Sequence, residues 1–131
     1  MRYLSFTRAS EKHNPNQESA GADHPPAALM EAMQQLIEKQ MKAGVLIDTG
    51  GLAPSQQGFR MRLANGQLTT TDGPFTESKE VIGGWAIFEA ESKAEALRLT
   101  TEFLDLHRKH WPEARFEFES EVRLIVYQAR P

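Results

Sequence analysis

Two stripes of apolar residues at helical spacing, Leu29-Met30-Met33-Leu36-Ile37-Met41 and Leu99-Phe103-Leu106, each lie between segments that alternate with period two. That interleaving restricts the chain to a few mixed architectures. Arg2 to Arg8 sets Leu4 and Phe6 against Tyr3, Ser5 and Thr7, the pattern of a half-buried strand. Val45 to Ile47 opens a second strand that runs into Thr49-Gly50-Gly51. From Gly58 to Ala64, Phe59, Met61 and Leu63 point one way and Arg60 and Arg62 the other. Asn65-Gly66 then signals a hairpin, because both turn residues accept positive φ, and Gln67 to Thr71 forms the return arm. Gly84 to Glu89 is nearly continuous apolar sequence, as a central strand covered on both faces requires. Arg115 to Tyr127 predicts the last strand, with Phe116, Phe118, Val122, Leu124 and Val126 on one face and Glu117, Glu119, Glu121 and Arg123 on the other.

The helix ends are also written locally. Asp23 or His24 is expected to cap the first helix, with Pro25 and Pro26 in the first turn, where a missing N–H costs nothing, and Gly44 at the C-terminal end. Ser92-Lys93-Ala94-Glu95 is a capping box that starts the second helix, and Pro112 stops it soon after His110. The order is strand, helix, strand, hairpin, strand, helix, strand. This is an α+β, ferredoxin-like βαββαβ sheet with an extra hairpin arm, in one domain spanning residues 1–131. Both helices then cover the same face of one antiparallel sheet. A second copy of the sheet is the economical cover for the other face, which predicts a C2 homodimer.

Several function classes fall away. A net charge of −3 with scattered Lys and Arg lacks the basic stripe of a nucleic-acid binder. The absence of cysteine removes disulfides, thiolate catalysis and Cys-based zinc sites. No run approaches the ~18 apolar residues of a membrane span, and the first residues lack a signal-peptide layout, so a cytoplasmic location is expected. There is no phosphate loop of recognised spacing, and no cofactor is implied. Residues 9–26 form a long polar loop with three prolines, either a lid or plain surface.

The stretch DGPFTESKEVIGGW, from Asp72 to Trp85, combines turn chemistry with charges and aromatics that a plain connector does not need. With KAGVLIDTGGLAPS before it and ESKAEAL after it, the stretch resembles the DGPF branch of the YCII-related protein family. The resemblance implies a dimeric α+β barrel of ferredoxin-like subunits, and roles ranging from small lyases or isomerases to ligand binding. Thr49-Gly50-Gly51-Leu52-Ala53-Pro54 lacks the acid and the histidine that many relatives carry in this loop, which argues against acid/base chemistry centred there.

The residues themselves suggest a pocket beside the motif for a small polar or anionic metabolite. Asp72, at a strand end, is the candidate proton carrier, and its alternative is a turn-capping aspartate. His24 is a second catalytic candidate if its loop folds over the pocket. Arg8, Arg60, Phe75, Glu77, Lys79 and Trp85 are the candidate ligand-binding residues, Lys79 as a point charge for a carboxylate or phosphate. For Arg8, Arg60 and Arg62 the plainer reading is cross-strand pairing with Glu117, Glu119 or Glu121. His107 and His110, three apart near a helix C-terminus where positive charge suits the dipole, lack a third ligand, so no metal is assigned. The alternative function is a non-catalytic sensing or interaction module in which the motif is structural.

Overall fold

The computed structural model describes residues 1–9, 25–75, 81–112 and 118–129. Its elements are β1 (Arg2–Ala9), α1 (Ala27–Lys42), β2 (Leu46–Gly51), a single 3-10 turn (Ser55–Gln57), β3 (Phe59–Ala64), β4 (Gln67–Asp72), β5 (Val81–Glu89), α2 (Lys93–His110) and β6 (Glu119–Leu124). Strands β2-β5-β1-β6 form one antiparallel sheet, and β3–β4 stands apart as a two-stranded arm. This is the ferredoxin-like order with the arm inserted between its second and third strands.

Local signals account for most boundaries. Pro26 precedes α1 in extended conformation with no side-chain cap, and Asp23 and His24 lie outside the described residues. The chain leaves α1 through Gly44 at φ +74°, a value that glycine adopts without strain. At α2, Ser92 Oγ accepts from the Glu95 N–H at 3.2 Å, while the Glu95 carboxylate reaches back to the Glu91 N–H at 3.0 Å. Strand β6 is shorter than the periodicity suggests; residues 113–117 lie outside the description, and beyond Leu124 the Ile125 N–H to Arg2 carbonyl bond prolongs the ladder.

Register decides the two faces. Tyr3 pairs with Phe88, and Phe88 with Leu46, and these three pack with Ala90, Ala96 and Leu99 as the buried core under the helices. The rings of Tyr3 and Phe88 stack at 5.7 Å. By alternation Ser5, Thr7 and Ala86 face the helices too, while Leu4, Phe6, Trp85 and Ile87 share the outer face. Arg2, Arg8, Glu89, Glu119, Glu121 and Arg123 surround that outer apolar centre. No described helix is long and apolar enough to cross a membrane.

The arm turns at Asn65 (φ 53°) and Gly66 (φ 75°), as the Asn-Gly pair requires. One face carries Phe59, Met61, Leu63 and Leu68, each between 59% and 69% exposed, so the arm buries little of its apolar side within the chain. At its base the Asp-Gly-Pro turn is tied to the 3-10 turn. The Gly73 N–H donates to the Gly58 carbonyl at 3.0 Å, and the Phe75 N–H donates to Ser55 Oγ at 3.0 Å. A Cβ on Gly73 would lie 1.7 Å from the Ser55 carbonyl oxygen, so this glycine is required by backbone contact. Gly73→Ala is therefore expected to destabilise the protein by about 2 kcal/mol or more, as other forced backbone rearrangements do. Urea unfolding checks this through a lowered midpoint, and a change below about 0.5 kcal/mol would rule the contact out.

Candidate functional site

Helices over a sheet leave no space where sheet residues are large, and space where they are small. At the Tyr3 end the gap is filled by Tyr3, Leu46, Phe88 and Leu99. Toward the C-terminal ends of β1 and β2, the helix-facing residues are Ser5, Thr7, Thr49, Gly51, Gly84 and Ala86, which reach little way up from the sheet. The result is a cavity of about 350 Å³ between the layers, within the range of small-ligand sites. Leu29, Met33 and Ile37 of α1 form one wall, and Phe103, His107 and Trp111 with Phe118 form the other. The helical methionine stripe, which reads as core packing, thus partly lines open space.

His107 is the one ionisable side chain among the described residues lining this cavity. It sits one turn after Phe103 and is flanked edge-on by the rings of Phe103 at 4.9 Å and Phe118 at 4.7 Å. Its Nδ1 lies 3.1 Å from the Phe103 carbonyl oxygen. A carbonyl only accepts, so Nδ1 carries the proton and Nε2 keeps a lone pair. Burial holds the imidazole pKa below its ordinary value, and the bond to Phe103 offsets this in part. The ring is therefore neutral at pH 7.

The residues singled out in the sequence take other places. Arg8 pairs with Glu121 at 3.0 Å across β1 and β6, on the outer face, the cross-strand pairing that the plainer reading expects. Trp85 pairs with Phe6 and Gly50 on that same face. A Cβ at Gly50 would meet its indole at 2.9 Å, so the ring lies across Gly50 and Trp85 meets the cavity through its backbone. Asp72 is exposed at the end of β4, and Phe75 lies under the Arg60 guanidinium, 3.9 Å from ring centroid to Cζ. None of these three lines the cavity. Glu77, Lys79 and His24 lie outside the described residues. The motif nonetheless leads into β5 at Val81, two residues before Gly83, which does line it. No group of three or more His, Asp or Glu able to hold a metal occurs among the described residues.

Periodicity alone does not reveal the cavity, although its signal is in the sequence. The small residues recur at alternate positions of three strands, and alternation is readable once the helix-facing side is known. From its place at a helix end His107 reads as a favourable charge, whereas burial between aromatic rings sets its state.

Residues 1–103 match the family model described as the YCII-related domain. Among curated proteins, none matches. The matched span includes the cavity floor and ends at Phe103, one turn before His107.

A buried neutral histidine makes acid unfavourable. With its folded pKa depressed, the unfolded chain binds more protons just below the ordinary histidine value of about 6.5, so stability falls as pH drops from there to the folded pKa and levels off below it. Glu89, held low first by its hydrogen bond from Arg2, contributes only in the lower carboxylate range. Thermal melting between about pH 7.5 and 5 should therefore show a decline that His107→Phe flattens. An unchanged slope in that variant would mean that His107 is not buried neutral.

Proposed function

The chain belongs to the YCII-related domain family, and on that premise we propose that it binds a small, largely apolar molecule in the cavity between its helices and sheet. The observation that carries this reading is the floor of Ser5, Thr7, Thr49, Gly51, Gly84 and Ala86, which leaves room for about 350 Å³ under two apolar helix faces. A core selected only for packing fills such space, because each missing methylene costs stability.

The motif takes a supporting role in this reading. Gly73 and Phe75 fasten the chain to the 55–58 turn before it reaches β5, a floor strand of the cavity. The alternative, a polar or anionic metabolite held beside Asp72 with lyase or isomerase chemistry, is favoured by one observation, the Arg60 guanidinium stacked on Phe75.

The proposal includes a homodimer built sheet to sheet. Leu4, Phe6, Trp85 and Ile87 would meet their counterparts, and the surrounding Arg2, Arg8 and Arg123 with Glu89, Glu119 and Glu121 supply both signs of charge, as a self-complementary C2 interface needs.

Two measurements test this. A thermal-shift screen with neutral aromatic probes should raise the melting midpoint by several degrees, since ligand at about 100 times its Kd adds about 2.7 kcal/mol. Ala86→Leu, which fills the floor, should abolish the shift while preserving the far-UV spectrum; a shift that survives it places the ligand elsewhere. Light scattering should give twice the chain mass, and Phe6→Glu should give a monomer. A monomeric unaltered protein at micromolar concentration would remove the dimer.

A further inference from the structure

We propose that His107 is the polar anchor of the cavity, and that its ligand is a neutral aromatic-sized molecule carrying one hydroxyl or N–H that donates to His107 Nε2. This deepens the cavity reading and rests on it. Family membership does not assign the residue, because the matched region stops at 103.

Three observations converge on the donor. First, the Phe103 carbonyl takes the Nδ1 proton, so Nε2 of the neutral ring is the acceptor. Second, the hydroxyls of Thr49 and Thr100, both at the cavity wall, give their protons to the backbone, Thr49 to the Trp85 carbonyl at 2.8 Å and Thr100 to the Ala96 carbonyl at 2.9 Å. Their oxygens face further partners only as acceptors. Of the other described polar side chains there, Ser5, Thr7 and Gln40 serve in either sense, and the Trp111 indole N–H only donates. Third, no charged side chain joins His107 among the described lining residues, so a carboxylate or phosphate would be desolvated without a counter-ion. An apolar cavity of roughly 150 Å³ takes benzene, so this larger one has room for a substituted or fused ring.

The test compares p-cresol with p-xylene, which differ by hydroxyl against methyl, and includes p-toluate as the anion. Calorimetry on the intact protein at about pH 7.5, above the ordinary histidine range, should show both neutral probes binding and the anion not. The ratio of xylene to cresol Kd should fall about three- to tenfold in His107→Phe, the net worth of one hydrogen bond. In the unaltered protein, the imidazole nitrogen spectrum should show a bare Nε2 that moves on adding cresol and stays still on adding xylene, which decides the matter even if the variant fails to fold. A ratio unchanged by the substitution, or a protonated Nε2, overturns the anchor and leaves the cavity standing. If neither neutral probe binds, the cavity reading falls and the anchor with it. Tight binding of p-toluate overturns the proposed ligand class.

Discussion

The register of β1 between β5 and β6 is the constraint on which the rest of the structure depends. Side chains along a strand alternate, so a shift of one residue would exchange every helix-facing position for an outer one. In the observed register Tyr3 lies opposite Phe88 and Leu124, which puts the Tyr3–Phe88 stack under the helices and sends Leu4 and Phe6 outward. The consequence runs against simple hydrophobicity. The more apolar set of β1 faces away from the helices, and the set that includes Ser5 and Thr7 faces toward them. This is what empties one end of the inter-layer space and leaves an apolar patch on the opposite side.

The arm and the motif follow from the same plan. A two-stranded ribbon is marginal alone, and β3–β4 leaves Phe59, Met61, Leu63 and Leu68 mostly exposed. Its local supports are the Asn65-Gly66 turn and the ties at its base, where Gly58 and Ser55 receive Gly73 and Phe75. The Asp-Gly-Pro-Phe sequence thus holds the base of the arm through backbone geometry, and its described side chains do not line the cavity.

What was legible in the sequence is what short-range chemistry controls. The capping box at Ser92, the glycine at 44, the Asn-Gly hairpin and the order of strands and helices depend on neighbours within a few residues, and each appears where the residues place it. The side of β1 that meets the helices depends on packing between residues more than 80 positions apart, such as Tyr3 with Phe88, and periodicity alone cannot choose between two faces. The cavity inherits that ambiguity. His107 shows a related effect: its position in the last turn of α2 favours a charge through the helix dipole, but the aromatic rings around it remove water, and desolvation is the larger influence. A sequence displays the helix end and conceals the rings.

Both proposed surfaces are carried by alternate residues of β5. Gly84 and Ala86 belong to the cavity floor, while Trp85 and Ile87 between them belong to the outer face with Phe6 and Leu4. Thr49 links the two, since its side chain lines the cavity and its hydroxyl holds the Trp85 carbonyl. The strand used on both sides is held by hydrogen bonds on both edges, to β1 and to β2. Gly50 is the exception that allows this double use: with no Cβ, it lets the Trp85 indole lie flat on the outer face without pushing β2 away from β5. A side chain there would have to displace either the ring or the strand, and a displaced strand would change the cavity floor. The glycine pair at 50 and 51 therefore serves two faces for two different reasons, close approach of an indole outside and open space within.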